Sequence, residues 1–190
     1  MSRATARHLC RRPILRTAAG ATALAATLIC AGSISSASAS CPDEGLVPAQ
    51  ASTQAARDSV ACLINEQRAL SGLGPLTVQL SLQQAGQQHS KAMNKRNFFA
   101  HGSAMNRVKR AGYLGGASVW RVGEVIAWGK SGGGTPKSVV ASWMRSPTHR
   151  ATLLMPGFRE LGVGVAKGSP LSRKRQLGSA IYTVDFGYRG

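Results

Sequence analysis

His101 and His149 are the residues of this 190-residue chain best suited to chemistry. His101 closes the run Phe98-Phe99-Ala100-His101, and His149 closes the turn Ser146-Pro147-Thr148-His149. Between them Glu124 stands beside a short apolar run, Val125-Ile126-Ala127. Two imidazoles and a carboxylate in aromatic and apolar settings suggest one shared pocket. A neutral imidazole offers a nitrogen lone pair to a metal, and a carboxylate can orient that imidazole or a water. On spacing alone, the commoner fate of such histidines is structural: packed and hydrogen-bonded at a core edge. The sequence has no HExxH motif and no serine in a nucleophile elbow. A metal held by His101 and His149 would have two protein ligands, where zinc takes three or four, so water would have to fill the rest.

The elements that must position these residues are readable from local signals. Thr135-Pro136 is a helix start with two marks, a threonine N-cap and a proline at the first helical position. Val139, Val140, Trp143 and Met144 form the buried face of that helix, and the Gly-rich residues 130–134 before it read as a flexible loop. Ser146-Pro147 ends or kinks the helix, because the residue before proline avoids the α region, and this places His149 just past a helix end. Upstream, a first helix starts at Ser52 or Thr53 and turns Val60, Leu63, Ile64 and Leu70 inward until Gly72, Gly74 and Pro75 stop it. Ser81 is the expected cap of a second helix whose stripe is Leu82, Ala85, His89, Ala92 and Met93, which makes His89 a core-edge residue. Phe98-Phe99 ends that helix and delivers His101. Residues 104–111 form a short helix stopped by Gly112. Residues 119–128, 161–165 and 180–186 are strand-like, the last two joined by a long polar loop over 168–178. Helices come first and a small antiparallel sheet follows, an α+β order.

The two ends of the sequence speak to address. Residues 1–16 carry five arginines and no acid, residues 17–40 carry no charge, and Ala37-Ser38-Ala39 has the small-x-small form of a signal-peptidase site. Residues 1–39 are therefore expected to be a signal peptide, and the protein to be secreted, with a mature chain starting at Ser40. Gly, Ser and Thr dilute the apolar stretch, which makes it a weak spanning helix. Arg11-Arg12 leaves both the general and the twin-arginine export routes open. Cleavage would remove five of the 24 basic residues and none of the seven acidic ones, leaving a net charge of 19 − 7 = +12. Such a chain can adhere to anionic polymers or headgroups, while no motif supports nucleic-acid binding. Cys41 and Cys62 are the two cysteines left, and in an oxidising compartment they are expected to form a disulfide. Residues 41–51 lack periodicity and read as an extended arm, so the domain reading is an N-terminal arm over 40–56 and one domain over 57–190.

Taken in order, the residues from Cys62 to Phe186 resemble a known family. The pieces are Leu63-Ile64-Asn65 with Arg68, Gly72-Leu73 with Pro75-Leu76, His89-Ser90 with Met93, and Phe98-Phe99-Ala100-His101. Arg110-Ala111-Gly112-Tyr113, Gly123-Glu124-Val125-Ile126-Ala127, Trp143-Met144 with Ser146-Pro147 and His149-Arg150, and Gly162-Val163-Gly164 follow. The chain resembles a bacterial member of the CAP superfamily, the SCP-like domains named for cysteine-rich secretory proteins, antigen 5 and pathogenesis-related proteins. The resemblance implies an α-β-α sandwich with a small antiparallel sheet between helical layers. It also implies a cleft of two histidines and two glutamates, where some members hold a divalent metal, often zinc, through the histidines. By position the metal ligands would be His101 and His149, and one glutamate Glu124. The second glutamate falls near Ser146, where this chain has no acid, and the usual Gly-Glu-Asn becomes Gly-Glu-Val at Val125. Both departures count against catalysis. The expectation is a monomeric, non-enzymatic, secreted binding domain, with a lipid, a sterol or an anionic cell-surface polymer as partner. The alternative is a metal-dependent hydrolase acting on peptide or cell-wall substrates, with Glu124 as base.

Overall fold

A computed structural model of the protein describes residues 41–171 and 178–190. The expected signal peptide, the Ser40 start and part of the 168–178 loop lie outside the described residues. No helix among those described is long and apolar enough to cross a membrane.

Among the described residues five α-helices and four strands follow one another: α1 (Thr53–Leu70), β1 (Thr77–Val78), α2 (Leu80–Arg96), α3 (Ala104–Arg110), β2 (Trp120–Gly129), α4 (Pro136–Arg145), α5 (Pro147–Leu153), β3 (Glu160–Lys167) and β4 (Ala180–Arg189). The sheet order is β1-β3-β4-β2. β3, β4 and β2 are antiparallel as expected, but β1 adds two residues parallel to β3, so the sheet is mixed.

The pleat divides the layers. Tyr182, Val184 and Phe186 of β4 face α1 and α4 with Val60, Ile64, Val139 and Trp143 in the main core. Ile181, on the other face, packs with Met93 of α2 and Ile126 of β2. The result is helices on both faces of a sheet, the α-β-α sandwich. The alternation of Gly162 and Gly164 in β3 has a packing cause. A Cβ at either would collide with the α2 backbone at Leu82, Gln83 or Gly86. Helix and strand can approach this closely only through glycine.

Local signals fared unevenly. Ser52 caps α1, its Oγ accepting from the Ala55 N–H at 2.9 Å, and Thr135 caps α4 with Pro136 in the first turn. Trp143 is buried and donates its indole N–H to the Ile126 carbonyl at 3.1 Å. Leu70, however, is 81% exposed, and Arg68 is the buried residue at that end of α1. Arg68 is buried because its guanidinium donates to three carbonyls, of Gly74, Leu153 and Met155. Gln79, not Ser81, caps α2, since the longer amide reaches forward to the Ser81 N–H at 2.6 Å. The loop before α4 is a 3-10 turn, Ser131–Gly134, held by Tyr182, whose hydroxyl donates to the Gly134 carbonyl at 2.7 Å.

The N-terminal arm is not extended. Pro42, Gly45 and Pro48 fold it into consecutive turns, with Leu46 N–H bonded to Asp43 O and Ala51 N–H to Val47 O. The Cys41–Cys62 disulfide forms, and the arm lies against both α1 and α4 through Ser59 to Pro42 O and Lys137 to Glu44.

Candidate functional site

The segment carrying His101 is fixed from behind. Asn97 ends α2 in the left-handed conformation, φ 53°, which asparagine tolerates, and swings the chain back over the sheet. Phe98 packs beside Met93, Ile126 and Ile181. His89, buried on α2, lies 2.9 Å through Nε2 from the Ala100 carbonyl. A carbonyl only accepts, so Nε2 of His89 carries a proton and donates. Burial, and next the charge of Arg107, lower the His89 pKa and keep the ring neutral. His89 is thus the packed histidine expected, and it also anchors the residue before His101.

His101 meets Glu124 directly, with Nδ1 2.7 Å from Glu124 Oε1. Glu124 comes from β2, and its side chain is 3% exposed against 51% for His101. The other carboxylate oxygen takes an ion pair from Arg107 Nη2. Arg107, on α3, turns its second terminal nitrogen to the His101 carbonyl at 2.7 Å. Ser103 sets that helix, its Oγ accepting from the Asn106 N–H. One arginine therefore clamps both the carboxylate and the backbone of its histidine partner. With Nδ1 of His101 bonded to Glu124, Nε2 is the ring nitrogen that no hydrogen bond among the described residues holds.

Asp185 lies beneath. It is the β4 residue paired across the sheet with Glu124, fully buried and on the same face. Burial first, and then the negative charge of Glu124, push its carboxyl well above the usual carboxylate range. The Glu124 contact falls short of full hydrogen-bond geometry, so both Asp185 oxygens are unpartnered. Asp185 is therefore biased toward its protonated form, while Glu124 is paired with Arg107.

His149 lies past the end of α4, as expected, but within a new helix rather than a turn. Pro147 ends α4 and starts α5, and His149 falls in the first turn of α5. Proline blocks the α region for the residue before it but suits the first helical position itself. The ring is half-buried; burial, and next the charge of His101, lower its pKa, so the two imidazoles feel each other. Ser146 is the half-buried residue joining α4 to α5, and its side chain makes no capping bond.

The structure thus joins His101 to Glu124 by contact, and relates His101 to His149 only through the electrostatic effect on the His149 pKa. Arg107 and Asp185 are site residues that sequence reasoning missed. For Asp185 a signal existed, a lone acid within the β-forming run Ala180-Ile181-Tyr182-Thr183-Val184-Asp185-Phe186. For Arg107, on a short basic helix, there was none. Among the described residues, the only group of three His, Cys, Asp or Glu side chains with metal-ligand spacing is Cys41, Cys62 and Glu66. Its cysteines are spent in the disulfide. Any ion in the cleft would rest on two imidazoles, a donor set that suits a borderline metal such as zinc.

Comparisons with known proteins agree with the fold. The Bacillus subtilis protein YkwD is 32% identical over 135 residues, 68% of this chain, and the chain spans about half of YkwD's length. Among solved structures, an extracellular SCP-domain protein of Bacillus anthracis matches at 25% identity and TM-score 0.56, over 70% of this chain and 40% of that one. An outer surface protein of Borrelia burgdorferi shares the fold at 21% identity and TM-score 0.55, over 69% of this chain and 90% of that one. The sequence pattern of the CAP, or cysteine-rich secretory protein, family matches residues 62–186, and the chain belongs to that family.

Proposed function

We propose that this is an extracellular binding domain whose cleft takes a divalent metal such as zinc through His101 and His149. The observation that carries the reading is the 2.7 Å contact of His101 Nδ1 with Glu124 Oε1. It fixes the tautomer and leaves Nε2 as the donor, the carboxylate–histidine arrangement that orients metal ligands. The lowered pKa of His149 supports it, since a neutral ring keeps its lone pair near neutral pH. A bound ion would supply a fixed positive charge able to polarise an oxygen of a ligand. The exported setting is supported by the disulfide, by the basic leader-like residues 1–39 and by the description of the Bacillus anthracis neighbour as extracellular.

Binding is favoured over hydrolysis by the state of Glu124. A general base needs a free carboxylate oxygen within reach of the proton it removes. Here one oxygen is held by Arg107 and the other by His101, with the side chain 3% exposed. Ser146 supplies no second acid.

Zinc titration by calorimetry at pH 7.5 and 5.5 tests the reading. Modest affinity is expected at the higher pH, because two protein ligands fall short of a closed four-ligand site. Protons should displace the ion at the lower pH, below the unperturbed imidazole pKa of about 6.5. His101→Ala should abolish most of the binding. Equal affinity at both pH values, or in that variant, would refute the proposal.

A further inference from the structure

A cavity of about 480 Å³, lined by Arg107 but not by Glu124 or His101, lies between α2, α3 and the segment that joins them. Gln88, His89, Ala92 and Arg96 line it from α2, Phe98 and Gly102 from the connecting segment, and Ser103, Asn106, Arg107 and Arg110 from its far side. The lining holds three arginines and no carboxylate. Of the three, only Arg107 has an acidic partner among the described residues, and its side chain is 10% exposed. Even there a donor is left over, for Arg107 Nε is buried without a hydrogen-bond partner. Arg96 and Arg110 are exposed and make no ion pair among the described residues. His89 is kept neutral by its burial and by Arg107, so it adds a ring face and no charge. Arg96 lies over the Phe98 ring at 5.4 Å, which holds its guanidinium beside an aromatic wall.

These features define a ligand class. Two guanidiniums with no acidic partner among the described residues match a doubly charged group, and guanidinium forks suit phosphate oxygens. Ser103, Asn106 and Gln88 add neutral donors, and Phe98 with Ala92 adds an apolar wall. The volume is that of a small-molecule site and far exceeds a lone phosphate ion. We propose that this cavity binds an organic phosphate, a phosphomonoester whose carbon portion rests on Phe98. The site needs no metal in the neighbouring cleft. It shares Arg107 with that cleft, so its occupant would sit one guanidinium away from Glu124 and His101.

The source can be a soluble metabolite or a lipid headgroup, and two probes separate them: glycerol 3-phosphate, and dihexanoyl phosphatidic acid below its micelle concentration. Calorimetric titration of the metal-free protein should show saturable binding of at least the lipid probe. Binding of both with like affinity points to the soluble source, and binding of the lipid alone points to the headgroup. Arg96→Gln and Arg110→Gln should each weaken binding about tenfold or more. Arg110→Gln is the cleaner variant, since Arg110 has no stacking partner among the described residues. Lys109→Gln removes the same charge from the same helix outside the cavity lining and should leave affinity unchanged. Equal weakening by Lys109→Gln would mean diffuse surface charge and would overturn the proposal. So would no measurable binding of either probe at millimolar concentration.

Discussion

Replacing Glu124 by Gln removes the negative charge that Arg107 and His101 share, while keeping size and shape. The Arg107 and Glu124 side chains are 10% and 3% exposed, so water cannot readily take over either role. Removing one partner of a buried ion pair costs about 3–5 kcal/mol, because the other charge stays buried and uncompensated. Glutamine offsets part of this with one carbonyl. Two donors, Arg107 Nη2 and His101 Nδ1, face the carboxylate's two oxygens, and one of them must then meet an NH2 group. The net expectation is a loss of about 2–4 kcal/mol at pH 7. Urea unfolding followed by fluorescence and circular dichroism measures it, provided the two probes coincide and the slope is unchanged. Arg107→Met combined with Glu124→Met should recover much of the loss, since both charges then leave together. A loss under about 1 kcal/mol for Glu124→Gln would show that the clamp is solvated and the argument for a dry carboxylate wrong.

Other outcomes follow from the same structure. Trp143→Ala should cost roughly 3–5 kcal/mol in the same assay, as a large-to-small change in a filled core that also frees the Ile126 carbonyl; a loss under about 0.5 kcal/mol would contradict the packing. Cys62→Ser opens a bridge spanning 21 residues and should cost roughly 3 kcal/mol, checked against wild type with and without reductant. Asp185→Asn should gain on wild type as pH rises. The folded-state pKa of Asp185 is raised, so the stability it contributes is full below its unfolded value of about 3.9 and is lost as pH rises through the folded one. Asparagine does not titrate, so the difference in unfolding free energy should shift in favour of the variant between pH 4 and pH 8. A flat difference would place Asp185 in contact with solvent or a cation.

What was legible in the sequence was carried by near neighbours. Thr135-Pro136 marks a helix start because cap and proline act on the next three residues. The buried face Val139, Val140 and Trp143 follows from helical periodicity alone. The disulfide follows from two remaining cysteines in an oxidising setting. His101, His149 and Glu124 were legible as candidates through family resemblance, and the fold gives a reason for two of them to sit together. What was not legible depended on partners far along the chain. Arg68 is buried by carbonyls 85 and 87 residues away, which no local hydropathy can reveal. Leu70 is left outside because α1 ends where that arginine turns inward. Asp185 meets Glu124 only through the register of β2 against β4. Arg107 is one basic residue among several on α3, distinguished only by its reach across to β2. Pro147 was legible as the stop of α4 but not as the start of α5, because one proline serves both roles.

The claim at the centre is that His101 and His149 act as a pair, with His101 presenting Nε2 because Glu124 holds its other nitrogen. Long-range 1H–15N spectra of the imidazoles, recorded at pH 7.5 with and without zinc, address this atom by atom. The ring nitrogens of His101 and His149 should shift together on zinc addition. Nδ1 of His101 should stay protonated, and His89 should not move. A zinc shift confined to His89, a shift of His101 without His149, or coordination through His101 Nδ1 would contradict the account.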